Sequence, residues 1–126
     1  MAPEPRPQIG DARSDEFVVE GPLVTDVGGT IGASVLSTPG MIAMMERCCS
    51  ILAYQRLPDG LATVGFEVCV KHVAAAAEGS TCRARCTLSE IVETRKLRFE
   101  VEVSEGERTI GLGTHERRVI EVGQLG

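Results

Sequence analysis

The stretch STPGMIAMMERCCSILAY, Ser37 to Tyr54, narrows the choice of fold more than any other part of the chain. Thr38 is of a type that caps helix N-termini, and Pro39 suits the first helical position, where its missing N–H would be unpaired anyway. The spacing predicts a helix from about Pro39 to Arg56, stopped by the turn residues Leu57, Pro58, Asp59 and Gly60. Between Met41 and Gln55 its polar members are only Glu46, Arg47, Ser50 and Gln55. A helix that is apolar on most sides must be covered on most sides. Glu46 is the anomaly within it. Its one-turn neighbours Ile42, Ala43, Cys49 and Ser50 are small or apolar, and a buried carboxylate without a partner is costly.

The cover has to come from strands. FVVEGPLVTDV, Phe17 to Val27, has strand composition, with Pro22 pointing to an edge or a bulge. After the helix, Val64, Phe66, Val68 and Val70 alternate with Gly65, Glu67, Cys69 and Lys71. Cys82, Ala84, Cys86 and Leu88 alternate with Thr81, Arg83, Arg85 and Thr87, and Leu97, Phe99, Val101 and Val103 with Arg98, Glu100 and Glu102. Each run has one dry and one wet face. A last strand, RTIGLGTHERRVIEV, changes phase around Gly111 and Gly113, which suggests a bulge or a close backbone approach. The turn signals AEGS and SEGE separate consecutive strands, so the sheet should be mostly antiparallel. The expected fold is α+β: one long central helix wrapped by a mostly antiparallel five-stranded sheet, the hot-dog arrangement.

The 126 residues are enough for one domain with a real core. MAPEPRPQIGDARSDE carries three prolines and no apolar h-region. It reads as a loose tail over residues 1–16, not a secretory signal, ahead of a single domain over 17–126. A net charge of −5, no tryptophan, three phenylalanines and one tyrosine argue against a nucleic-acid partner. No apolar run approaches the ~20 residues of a membrane span. The five cysteines are odd in number and two are adjacent in the predicted helix. That is a poor disulfide framework, and the reading is reduced thiols in a cytoplasmic setting.

Counting by twos from Val64 brings His72 to the apolar, helix-facing side of its strand. His72 is then the most economical partner for Glu46, and a carboxylate that orients an imidazole is a common way to build a general base. The residues alone leave open a blander pair: a satisfied core histidine and a solvated glutamate beside the core. Zinc is disfavoured. Cys69 and His72 are three apart in a strand and face opposite ways, while Cys82 and Cys86 share the dry face. Cys48 and Cys49 lie mid-helix, away from the N-terminus that would activate a thiolate. GGTIG lacks the spacing of a phosphate loop. Arg83, Arg85, Lys96 and Arg98 read as a mixed-charge solvated face, with anion binding as the alternative.

The segments STPGMIAMMERCC, TVGFEVCVKHVAAAAEG and IGLGTHERRVI, in this order, resemble the fluoroacetyl-CoA thioesterase family of hot-dog thioesterases, over roughly Val35 to Val122. The resemblance implies a dimer with active sites at the subunit interface, hydrolysing acyl-CoA thioesters without a cofactor or metal. It implies a catalytic threonine, glutamate and histidine at Thr38, Glu46 and His72. The glycine whose backbone contacts the thioester falls on Gly65, and the family's arginine at the end of THER falls on Arg117. His72 would act as general base on water or on the Thr38 hydroxyl, and Glu46 would orient and charge-stabilise it. The partners expected are an acyl-CoA and a second copy of the chain, as a dimer or a dimer of dimers. A non-catalytic acyl-CoA or acyl-thioester binding module is the alternative, and a hot-dog hydratase a third. Fluoroacetyl-specific relatives carry a longer, aromatic-containing segment between the first strand and the helix. DVGGTIGASVLS replaces it here, so the resemblance supports the activity rather than that acyl group. Thr38 and Glu46 are two helical turns apart, ~12 Å of axial rise, which favours a link from Glu46 to His72 or across a dimer over direct contact with Thr38.

Overall fold

The computed structural model describes residues 6–123. A strand β1 (Ala12–Val18) leads through a 3₁₀ turn (Gly21–Leu23) to two short strands, β2 (Val24–Thr25) and β3 (Val35–Leu36). Helix α1 (Thr38–Arg56) follows, and then β4 (Leu61–His72), β5 (Thr81–Val92), β6 (Lys96–Glu105) and β7 (Arg108–Glu121). The main sheet has the order β1-β5-β6-β7-β4, with every neighbouring pair antiparallel. β2 and β3 form a separate hairpin. One face of α1 lies on the sheet: Met41, Met45, Cys48, Cys49 and Leu52 pack among Leu88, Leu97, Phe99, Val101, Val103 and Ile110. With few aromatics available, Met and Cys side chains fill the gaps between helix and strands.

β5 and β6 follow their alternation: Cys82, Ala84, Cys86, Leu88, Leu97, Phe99, Val101 and Val103 are all buried. The expected phase change in the last strand is a bulge. Val103 pairs with Gly111 but Ser104 pairs with Thr109, leaving Ile110 as the extra residue. Gly111 then faces the helix, where a Cβ would run into the Met41 side chain.

Four expectations need correction. The first strand begins at Ala12, inside the stretch read as tail, and pairs with β5 from Ala12–Thr87 to Val18–Thr81. Its inward positions include Arg13 and Asp15, which neutralise each other at 2.8–2.9 Å, so the strand lacks an apolar period. The part of the tail over residues 1–5 lies outside the described residues. Second, Pro22 sits in the 3₁₀ turn and not in a strand, because proline has no N–H for a ladder. Third, Ser37 and not Thr38 caps the helix: the Ser37 hydroxyl accepts from Gly40 N at 2.9 Å, and Thr38 is the first helical residue.

The fourth concerns β4. Its register with β7 shifts between Gly65 and Glu67, so Phe66 is a bulge residue. Gly65 pairs with Arg117 and faces the helix, whereas Val64 pairs with Arg118 on the outer face. Phe66 is also outside, 3.5 Å under the Arg118 guanidinium. Beyond the bulge the phase is restored, and His72, paired with Gly111, does face the helix. Within one chain the sheet covers a single side of α1: Ala43, Arg47 and Tyr54 remain exposed. Val64, Phe66 and Val68 are exposed along the β4 edge.

Two substitutions test the helix start. Ser37→Ala should lower stability by about 1 kcal/mol, while Thr38→Ala, which removes no cap, should change it by under ~0.5 kcal/mol. Both are read as urea midpoints. Gly40 presses on the 3₁₀ turn: a Cβ there would stand 2.8 Å from the Leu23 carbonyl oxygen and 3.0 Å from Leu23 Cα. Alanine favours a helix over glycine by about 1 kcal/mol, but overpacking costs about 1–3 kcal/mol and here the obstacle is backbone. Gly40→Ala should therefore lower the urea midpoint despite the gain in helix propensity.

Candidate active site

Two polar constellations sit on the helix side of the sheet. The first joins Thr38, at the start of α1, to His72, the last residue of β4. Thr38 Oγ1 lies 2.8 Å from His72 Nδ1. The contact follows from local structure at both ends. Ser37 takes over the capping and leaves the Thr38 hydroxyl free. The Ser37 N–H donates to the Leu23 carbonyl at 2.8 Å and ties the helix start to the 3₁₀ turn. At the other end the carbonyl of the bulge residue Ile110 accepts from Val73 N at 2.8 Å and from Ala74 N at 3.2 Å. That anchors the chain just beyond His72. His72 Nε2 is buried and has no hydrogen-bond partner among the described residues. If the hydroxyl donates to Nδ1, the pair is a nucleophile held against a base.

The second constellation surrounds Glu46. Its Oε2 lies 3.9 Å from His115 Nε2 and 3.8 Å from Arg117 Nη1. A Cβ at Gly65 would stand 2.8 Å from that same oxygen, so only glycine lets the carboxylate lie against β4. Arg117 is clamped: Nε donates to Thr63 Oγ1 at 2.7 Å, Nη2 to the Thr63 carbonyl at 3.0 Å, and Nη1 lies 3.1 Å from His115 Nε2. His115 Nδ1 lies 2.8 Å from the Glu67 carbonyl, next to the β4 bulge. A carbonyl only accepts and a guanidinium only donates, so Nδ1 carries the proton and Nε2 is bare. His115 is 2% exposed. Burial pushes its pKa down, with the Arg117 charge adding to that, which keeps the ring neutral at pH 7. Burial also lowers the Arg117 pKa, but an arginine stays protonated in this setting. Glu46 therefore faces one full positive charge and one neutral ring. Its side chain is 40% exposed, open on the side away from the sheet.

Helix and sheet thus bring together Thr38 with His72, and Glu46 with Gly65 and Arg117. They do not bring Glu46 to His72, the partner expected from the sequence. The reason is the rise of the helix: eight residues carry Glu46 ~12 Å beyond Thr38, to the middle of β7 and not to the end of β4. Arg117, expected to bind substrate, is 7% exposed and spends its N–H groups on Thr63 and His115. His115 went unassigned in the sequence. The signal for it was its i, i+2 spacing from Arg117 in THER, which puts both on one face of a strand.

The thiols stay outside both groups. All five are free, and only Cys69 is exposed. Cys48 and Cys86 face each other at 3.4 Å in the core. The Cys86 hydrogen bond, and then burial, push the Cys48 pKa up, the opposite of nucleophile activation. Among the described residues no three His, Cys, Asp or Glu side chains are grouped to hold a metal. On the outer face Arg83 pairs with Glu16 at 2.6 Å, and Arg98 with Glu116 at 2.8 Å and Glu90 at 2.9 Å, a mixed-charge surface as read from the sequence. No helix among the described residues is long and apolar enough to cross a membrane.

Comparison with known proteins gives the family and the fold. Residues 9–123 match the family FlK, described as fluoroacetyl-CoA-specific thioesterase. The fluoroacetyl-CoA thioesterase of Streptantibioticus cattleyicolor is 36% identical over 88 residues, covering 70% of this chain and 63% of that protein. The chain thus spans less than two thirds of that relative's length. The crystal structure of a mutant of the fluoroacetyl-CoA-specific thioesterase FlK with fluoroacetate and CoA superposes with a TM-score of 0.84 at 28% identity, over 94% of this chain and 99% of that one. A hot-dog-like protein from Thermanaerovibrio acidaminovorans shares the fold alone, with a TM-score of 0.79 at 20% identity over 90% of this chain and 84% of that one. With a family match that runs from ahead of β1 to beyond β7, the chain belongs to the fluoroacetyl-CoA-specific thioesterase family and has a hot-dog fold.

Proposed function

We propose that this protein hydrolyses acyl-CoA thioesters to a free acid and CoA thiol. The observation that carries the reading is the 2.8 Å contact between the Thr38 hydroxyl and His72 Nδ1. In this reading His72 is the general base, and it takes a proton from the Thr38 hydroxyl or from a water held beside it. The oxygen so activated adds to the thioester carbonyl. The C–S bond then breaks, and the sulfur leaves with the proton that His72 took; where the Thr38 hydroxyl was the attacking group, a water activated by His72 then hydrolyses the acyl-threonine ester to the free acid and restores the hydroxyl. A backbone N–H near Gly65, which itself carries no side chain, polarises the carbonyl. Glu46 is the fixed negative charge that orients and stabilises the protonated base.

The two constellations are ~12 Å apart along one rigid helix, so we infer that a working site combines Thr38 and His72 of one copy with Glu46 of a second. The β4 edge supports this reading. Among the described residues its outer hydrogen-bonding side has no strand neighbour in the sheet, and Val64, Phe66 and Val68 are 38%, 58% and 37% exposed. A homodimer formed along that edge would cover the strand and bring two long helices together. The acyl group we assign is not specifically fluoroacetyl: residues 26–34, between β2 and β3, contain glycines at positive φ (Gly28, Gly29 and Gly32) and no aromatic side chain.

His72→Ala should lower kcat for acyl-CoA hydrolysis by ~10²-fold or more in a thiol-release assay. Wild-type-like turnover of that variant would remove His72 as the base. Saturable CoA-ester binding by the wild type, without thiol release above background, would favour the binding module instead. Thr38→Ala separates the two routes: direct attack by the hydroxyl predicts complete loss, and water activation predicts a residual rate. For the composite site, Thr38→Ala and Glu46→Gln chains are mixed after subunit exchange. Half the dimers become mixed, each with one intact site of two, so about a quarter of wild-type activity should return. No recovery, with exchange verified by mass, would place Thr38 and Glu46 in separate sites or within one chain's site.

A further inference from the structure

We propose that His115 is a positioning residue for Glu46: held by the Glu67 carbonyl with its proton on Nδ1, it presents a bare Nε2 that captures Arg117 Nη1 and so aims the guanidinium at the carboxylate over Gly65. The inference rests on the reading of Glu46 as part of a thioester-hydrolysing site. It is carried by a chain of contacts in which each donor meets one acceptor. The β4 bulge at Phe66 places the Glu67 carbonyl 2.8 Å from His115 Nδ1. The ring's other nitrogen is 3.1 Å from Arg117 Nη1. Thr63 takes Nε and Nη2 of the same guanidinium through its hydroxyl and its carbonyl. With three of its nitrogens held by neutral acceptors, Arg117 cannot rotate, and its charge is not spent on any of them. Glu46 Oε2, at 3.8 Å, is the anion left to receive it.

The neutral ring is what makes the device work. A protonated imidazole would offer Arg117 a second donor and a like charge, and the guanidinium would have to turn away. A residue without an acceptor at Nε2 would leave Nη1 without a partner in a buried place. Either way Glu46 would lose its fixed counter-charge, although the fold, built on contacts elsewhere, would remain. His115 makes no contact with the Thr38–His72 pair, and its neutral ring, 3.9 Å from Glu46 Oε2, adds no counter-charge of its own, so its effect on chemistry runs chiefly through Arg117.

Three measurements test this. Nitrogen-15 spectra of histidine-labelled protein at pH 7 should show His115 with a protonated Nδ1 and a bare Nε2. The opposite tautomer, or a protonated ring, would overturn the proposal whatever the enzyme does. In thiol-release assays, His115→Gln keeps an acceptor towards Arg117, while His115→Asn keeps only the donor towards Glu67. His115→Gln should hold kcat within ~3-fold of wild type, and His115→Asn should lose ~10-fold or more with KM little changed. Equal losses in the two variants would mean a structural role alone. Finally, the His115→Asn loss should vanish in a Glu46→Gln background, since one acts through the other. A loss of the same factor in that background would overturn the proposal. Absence of thiol release by the wild type would instead fail the functional reading, and the tautomer measurement would still decide the clamp.

Discussion

The Glu46 carboxylate lies against the backbone of β4 at Gly65, at the one place where the strand offers no side chain to keep it out. Much of the site's architecture depends on that contact. A carboxylate halfway along a helix that packs on a sheet must either reach water or find a cation, because its desolvation is not offset by apolar neighbours. Here it does both. One side remains open, and the other meets Arg117, which is itself buried and held by neutral acceptors on β4 and β7. The bulge at Phe66 is part of the same solution. It turns Gly65 towards the helix, places the Glu67 carbonyl at His115, and puts Phe66 outside under Arg118. A regular strand in the same register could not do all three, since a single-residue slip exchanges the faces.

The helix also acts as a ruler. Ser37 caps it, Gly40 lets it approach the Leu23 backbone, and Thr38 is thereby set at its first turn with a free hydroxyl. Eight residues on, Glu46 is placed just as firmly. A rigid helix keeps the two groups ~12 Å apart along its axis, so within one chain Thr38 and Glu46 belong to separate polar groups. Along the edge strand β4 three large apolar side chains, Val64, Phe66 and Val68, remain exposed, which is the observation behind the proposed pairing of two copies.

How far the fold can be read from the sequence varies by element, for physical reasons. β5 and β6 are covered on one face only, so their inward residues, Cys82 to Leu88 and Leu97 to Val103, appear as plain alternation. α1 shows itself by its apolar length and its terminating turn. β1 is hidden, because its half-buried face is filled by an Arg13–Asp15 pair that satisfies itself within the strand. β4 misleads in its first half: an edge strand with a bulge carries apolar residues on its outer face, and counting by twos assigns Val64 and Phe66 to the wrong side. His72 escapes the error because it lies beyond the bulge, where counting by twos again matches the helix-facing side. Thr38 and Ser37 compete for one cap, and either type would serve. Which of them takes it depends on the turn that precedes the helix.

The order of amino acids was enough to determine the long helix, the four strands after it, the dry faces of the central strands, and the presence of a glutamate and a histidine on faces that are otherwise apolar. Those are local properties, written in propensity and in periods of 2 and 3.6 residues. Who meets whom was settled only by the packed chain. Glu46 went to Arg117 and His115 instead of His72, and His72 went to Thr38, because a helix advances by 1.5 Å per residue and a strand by about twice that. Residues matched in chemistry therefore drift apart in space unless bulge, register and crossing bring them level. The proton on His115 shows the same division. THER supplies the imidazole, but a carbonyl on one side and a guanidinium on the other, brought together by the β4–β7 pairing, determine which nitrogen carries it.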